Sequence, residues 1–113
     1  MRIDAIGYLR RDVSGVRQPW DEVQIRSLAR RLGYNLCKIV TFTGELDDVA
    51  GRLGNIVERL DADVVFVPSV DHFDGGVVPW RLVEVADVIT VEPEYTYARW
   101  ASGQLPSEVG GDW

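Results

Sequence analysis

The chain has one cysteine, Cys37, and one histidine, His72. A single cysteine cannot close an internal disulfide, which excludes a stapled scaffold and agrees with a reducing compartment. A single histidine with acids at i−1 and i+2 (Asp71 and Asp74) lacks the ligand spacing of a metal site. No metal is expected, and His72 reads as a satisfied loop histidine. Long apolar runs are missing too. The longest, around Val64 to Val67, is far short of a membrane span. Met1 is followed at once by Arg2 and Asp4 with no apolar signal region, so export is not expected and the cytoplasm is the default location. The phosphate-loop pattern Gly-x-x-x-x-Gly-Lys-Ser/Thr is absent, and Gly75-Gly76 is too short for a dinucleotide fingerprint, so no cofactor is expected. Internal repeats and low-complexity segments are also lacking.

What is present is enough for one globular domain. The chain has 113 residues, 46% of them hydrophobic, which supports a core and argues against wholesale disorder. The net charge of −6 is unevenly spread. Residues 1–46 carry eight Lys/Arg against five acids, a net of +3, and residues 47–113 carry four Arg against thirteen acids, a net of −9. Affinity for nucleic acid comes largely from clustered Lys/Arg that neutralise phosphates. The acidic C-terminal half would repel a duplex. The basic half leaves a local patch open, so charge disfavours nucleic acid without excluding it.

Periodicity organises the rest. Ala5 to Leu9 reads as a first strand, followed by a polar loop, RRDVSGVRQP. Pro19 suits the first turn of a helix, Ile25, Leu28, Ala29 and Leu32 recur at helical spacing, and Gly33 is a C-cap. Leu36 to Phe42 reads as a second strand, in which Cys37 is expected as a small buried hydrophobe. Asp47 and Asp48 cap a second helix with the stripe Val49, Leu53, Ile56, Val57 and Leu60. The β-branched run from Asp63 to Pro68 reads as a central strand buried on both faces. After the loop SVDHFDGG come a short helix, Trp80 to Val85, and a strand, Val88 to Val91. The order β-α-β-α-β-α-β predicts an α/β fold with a mostly parallel sheet and helices on both faces. The domain is expected to span residues 1–91. Residues 92–113 show no helical or strand period and read as an aromatic tail whose C-terminal end frays.

Ligands and catalytic groups in such sheets gather in the loops after the strands' carboxyl ends. Two loops carry candidate chemistry. The first offers Arg10, Arg11, Asp12, Ser14 and Arg17, and the second offers Ser69, Asp71, His72 and Asp74. A serine attacking a phosphodiester needs cations to stabilise charge building on the phosphoryl oxygens, and arginine suits that role. Arg10 and Ser14 fit this chemistry, and they fit an ordinary polar loop equally well.

The same residues carry a resemblance. Tyr8-Leu9-Arg10 followed by Val13-Ser14, with Arg11-Asp12 inserted, is similar to the strand ending Tyr-x-Arg-Val-Ser that opens the catalytic domain of serine recombinases, the resolvase/invertase family. Gln24-Ile25-Arg26-Ser27-Leu28 resembles that family's first-helix motif. Val64 to Val67 running into Pro68-Ser69-Val70-Asp71-His72-Phe73-Asp74-Gly75 resembles its strand leading to Asp-Arg-Leu-x-Arg. The three lie in register across roughly residues 3 to 91, and the resemblance implies a resolvase-catalytic-domain-like fold. It also implies roles: Ser14 as the nucleophile that bonds to DNA, Arg10 as an arginine of the phosphate cradle, and Asp71 as the acid. The sequence departs from the pattern where the family's other arginines would stand, at His72, at Gly75 and near Asp47-Asp48. Each lost preorganised cation costs about 2.7–4 kcal/mol by analogy with oxyanion-hole donors, and such groups act as a unit. Full-length members also carry a long oligomerisation helix and a DNA-binding domain, for which no room is expected after Val91.

The resemblance therefore implies a domain that has lost DNA strand exchange and acts through protein contacts, with a protein partner or as a homo-oligomer. The alternative is a phosphodiester or phosphoryl-transfer enzyme, or a recombinase accessory protein, using Arg10 and Ser14. No membrane partner is expected. The aromatic residues Trp20, Trp80, Tyr95, Tyr97, Trp100 and Trp113 suit an interface. For Tyr95, Tyr97 and Trp100, covering the domain's own sheet edge is an equal reading. Ser14 is expected to face solvent, so that Ser14→Ala would leave stability nearly unchanged.

Overall fold

The computed structural model describes residues 2–44 and 46–99. Four strands run parallel: β1 (Asp4–Arg10), β2 (Asn35–Phe42), β3 (Val64–Val67) and β4 (Asp87–Thr90). A fifth, β5 (Tyr95–Tyr97), pairs antiparallel with β4, and the sheet order is β2-β1-β3-β4-β5. Every residue of β3 is buried, as a β-branched run at the centre of a two-faced sheet requires.

Side-chain alternation along the strands divides the core in two. Ala5, Val64, Phe66 and Ile89 pack with Ile25, Leu28 and Ala29 of helix α2 (Gln18–Leu32). Ile6, Tyr8, Val65, Val67 and Val88 point the other way, toward Leu53 and Val57 of α3 (Val49–Leu60) and Leu82 and Val83 of α4 (Trp80–Val83). Helices therefore cover both faces. Gly7 lies where α2 and β2 come close. A Cβ there would sit 3.1 Å from Ile25 Cγ2 and 3.0 Å from Ile39 Cγ1.

The helix boundaries follow local chemistry. Pro19 occupies the first turn of α2, and Gly33 ends it at φ 86°, a left-handed conformation that only a residue without Cβ adopts at little cost. Asp48 caps α3, its side chain accepting the Gly51 N–H at 3.2 Å.

Three features differ from the sequence expectations. The segment after β1 is helical rather than an open loop: α1 (Arg11–Ser14) passes through a 3₁₀ turn (Gly15–Arg17) directly into α2. Cys37 is exposed rather than buried. Ala5 pairs with Leu36 and Ile6 with Lys38, so Cys37 is the extra residue of a bulge on an edge strand. The sheet also continues past Val91. Tyr97 packs partly buried against the larger core cluster, Tyr95 is exposed, and their rings meet edge to face at 4.8 Å. The tail thus docks on its own domain as far as Arg99. Trp100 and the expected fraying end lie outside the described residues. Among the described residues no helix is long and apolar enough to cross a membrane.

Candidate functional site

Strands β1 and β3 are neighbours, while the chain leaves them toward opposite edges of the sheet, β2 beyond one and β4 beyond the other. In doubly wound sheets the crevice for ligands opens at such a switch point, outside the carboxyl ends of the strands. Here the segments that flank it are Arg10 to Asp21 and Pro68 to Gly76. Together they hold every residue that the sequence nominated.

His72 divides the crevice. It is only 3% exposed and lines both of two clefts. Its Nδ1 accepts the Arg10 backbone N–H at 2.9 Å, and its own carbonyl accepts the Tyr8 hydroxyl at 2.7 Å. These two bonds tie the loop after β3 to β1. With Nδ1 an acceptor, the neutral imidazole carries its proton on Nε2. Burial, the largest influence, pushes its pKa below the ordinary 6.5, while the nearby Asp21 and Asp71 carboxylates pull it back up. Burial likewise pushes the Tyr8 phenol well above its ordinary value.

On one side lies a cleft of about 340 Å³ lined by Tyr8, Arg10, Asp48, Val49, Phe73 and Asp74 among others. Arg10 donates three of its five guanidinium N–H groups to carboxylates there. Its guanidinium makes a two-pronged contact with Asp12, Nε to Oδ1 at 3.1 Å and Nη2 to Oδ2 at 2.7 Å, and Nη1 reaches Asp74 Oδ1 at 3.0 Å. The hydrogen bond to Arg10 holds the Asp12 carboxyl below its usual range. Gly44 packs directly on this pair, where any side chain would collide with the Asp12 carboxylate and the Arg10 guanidinium.

On the other side lies a cleft of about 430 Å³ lined by Val13, Ser14, Arg17, Asp21, Pro68, Ser69, Asp71, His72 and Glu92. Ser14 is buried, and its Oγ donates to Asp21 Oδ2 at 2.6 Å. The expectation of a solvent-facing Ser14 is thereby corrected. Gly15, at φ 54° and ψ −131°, turns the chain sharply after α1, so Ser14 meets Asp21 across this kink and not along one continuous helix. Asp71 is exposed at the rim, its backbone N–H donating to Ser69 Oγ at 3.3 Å.

The structure therefore brings Ser14, Asp71 and His72 to one cleft and sends the Arg10 side chain into the other. Neither a family model nor a curated protein matches the chain. The positions aligned with arginine in the resemblance are also built for other residues. Gly75 has φ 67°, in the left-handed region that an arginine would occupy only with strain. His72 is enclosed, and Asp48, besides capping α3, accepts Arg81 Nη1 at 3.1 Å. Asp21, the residue that fixes Ser14, was missed by sequence reasoning. No spacing in the sequence signals it, because the contact depends on the turn at Gly15. Among the described residues no group of three or more His, Cys, Asp or Glu side chains could hold a metal ion.

Proposed function

We propose that this chain is a serine-recombinase-like domain that does not exchange DNA strands and works through protein–protein contacts. The observation that carries this reading is the state of Arg10. A phosphate-binding arginine must present free donors toward the phosphoryl oxygens, whereas this guanidinium is held by Asp12 and Asp74 in a cleft that Ser14 does not line. The Ser14 cleft has three carboxylates (Asp21, Asp71 and Glu92) against one guanidinium (Arg17), a poor setting for an anionic backbone. The element order and the switch-point site agree with a resolvase-like architecture. That likeness rests on the three sequence motifs.

Support for protein contact comes from an apolar stripe that runs from the 3₁₀ turn into α2. After the kink at Gly15, Val16, Trp20 and Val23 follow one another at helical spacing, and Val16 is 98% and Trp20 55% exposed. A tryptophan at the centre of such a stripe is the residue type that anchors interfaces. The reading is tested by incubating the purified chain with supercoiled and linear DNA and probing for nicked product and for protein–DNA adducts under denaturing conditions. Neither product is expected. An adduct abolished by Ser14→Ala would establish the opposite.

A second reading has one specific observation in its favour. The Ser14 hydroxyl donates to a buried carboxylate, the arrangement of a nucleophile with its base, and Arg17 lines the same cleft. A phosphoryl-transfer enzyme built this way would use Arg17 in place of Arg10. It would release p-nitrophenol from aryl phosphodiesters in a manner lost in Ser14→Ala.

A further inference from the structure

Helix α2 presents an apolar surface and a basic one on the same exposed face. Trp20, Val23, Ser27 and Arg30 recur at i, i+3, i+7 and i+10, which sets them in one stripe, and all four are exposed. The N-terminal half of this stripe is apolar and is extended by Val16. The C-terminal half is basic. Arg26 and Arg30 stand one turn apart and, with Arg2, Tyr34, Asn35 and Leu36, line a cleft of about 270 Å³ in which no carboxylate takes part among the described residues. The cleft lies beside the starts of β1 and β2, at the end of the sheet opposite Ser14. The Arg2 and Arg30 side chains make no hydrogen bond or ion pair with a described residue, and Arg26 reaches only Glu22, at 3.5 Å. Arg10, Arg31 and Arg81, by contrast, are each held by a carboxylate at 3.1 Å or less. Like charges gathered around a concave surface repel one another, and an anionic group seated among them reverses that cost.

An occupant of the whole face needs apolar side chains at one end and negative charge at the other. Ten residues of helix separate Trp20 from Arg30, about 15 Å at the helical rise. An extended chain covers that distance in about four or five residues. Tryptophan and arginine are also the residue types that anchor protein interfaces, and arginine pairs with carboxylates through two parallel hydrogen bonds. A duplex or an anionic bilayer is a poorer match, because its extended field meets the whole molecule and its net charge of −6. A short acidic segment meets mainly the charges within a Debye length, about 8 Å at physiological salt, and these are the arginines. We infer that the exposed face of α2 docks an acidic segment of a partner protein, with apolar side chains against Trp20 and Val23 and carboxylates in the arginine cleft. This deepens the proposed function, since it rests on the reading that the domain works through protein contacts and names the partner's chemistry.

The test titrates the ¹⁵N-labelled full chain with a terminally blocked Phe-Leu-Ser-Gly-Ser-Glu-Glu-Glu peptide, following the Trp20 indole and the Arg26 and Arg30 Nε–H signals by NMR. Two control peptides carry lysine in place of glutamate, or serine in place of Phe-Leu. The acidic peptide should shift all three signals with one dissociation constant of about 10 μM–1 mM, the range open to a short flexible ligand. Both controls should bind about tenfold more weakly or not at all. Trp20→Ser and Arg30→Glu should each weaken the acidic peptide about tenfold. Arg30 is exposed and unpaired among the described residues, so that variant and the wild-type titrations decide the matter even if Trp20→Ser fails to fold. Absence of a saturable shift, or equal binding of the serine control, overturns the proposal. So do two other outcomes: stronger engagement of the same signals by phosphatidylserine vesicles or a DNA duplex, and self-association of the chain that Trp20→Ser abolishes, which would make the occupant a second copy. The DNA-adduct assay keeps the two claims apart. A chain inert to DNA that ignores the peptide loses only this partner class, whereas a Ser14-dependent adduct removes the underlying reading whatever the peptide does.

Discussion

Ser14 illustrates how a single residue changes meaning between sequence and structure. Its surroundings of Gly15, Arg11 and Asp12 read as a polar loop. The chain instead forms a short helix that turns at Gly15 toward α2, burying the hydroxyl against Asp21. Removing that hydroxyl leaves a buried carboxylate oxygen without its donor, so Ser14→Ala is expected to destabilise the fold by about 1–3 kcal/mol. A urea titration of the two proteins measures this, and coincident midpoints would show that water replaces the hydroxyl. His72 yields a pH prediction. Burial lowers its pKa in the folded protein below the unfolded value of 6.5, so the unfolded chain takes up the proton first on acidification. Stability from this residue is complete above about pH 6.5 and falls as pH drops from there toward the lowered folded pKa. The urea midpoint should therefore decrease between pH 7.5 and 5.5, and the decrease should shrink in His72→Asn, whose Oδ1 can still accept the Arg10 N–H. An unchanged slope in that variant would assign the pH dependence to other groups.

Secondary-structure elements were legible where the pattern was long. The α3 stripe from Val49 to Leu60 and the β-branched run of β3 each appear where periodicity placed them, because their burial is set by many residues at once. Shorter or irregular features were not. A three-residue strand such as β5 has too few positions to establish a period, and its pairing with β4 depends on a turn stitched by Thr90 Oγ1 donating to the Pro93 carbonyl at 2.6 Å. The bulge at Cys37 is likewise a matter of register between strands, which one strand's sequence does not reveal. Because β5 covers the β4 edge, ending the chain before Tyr95 should lower the melting temperature and increase self-association through the opened edge. Calorimetry with light scattering reads both, and an unchanged melting point would make β5 dispensable. At the contact between α2 and the sheet, Gly7→Val inserts methyl groups against Ile25 and Ile39 and should cost about 1–3 kcal/mol by overpacking. A stable Gly7→Val variant would mean that α2 shifts outward without penalty.

At the scale of the whole molecule, the candidate residues were found as a set but not as a geometry. Arg10, Ser14, Asp71 and His72 do gather at the carboxyl ends of β1 and β3, as the fold class requires. The division of that crevice by His72 could not be read beforehand, since it depends on one imidazole bonding to the backbone of a residue sixty-two positions away. The consequence is a domain whose Arg10 is neutralised locally and whose net charge of −6 opposes a polyanion globally. The central claim is that Arg10 is not available to a phosphate, and it is tested most directly by fluorescence anisotropy of a labelled DNA duplex titrated with the chain at several salt concentrations. The account predicts no binding tighter than about 1 μM at physiological salt, the tight end of the range of non-specific binders. Salt-sensitive binding tighter than that, weakened by Arg10→Ala, would contradict it.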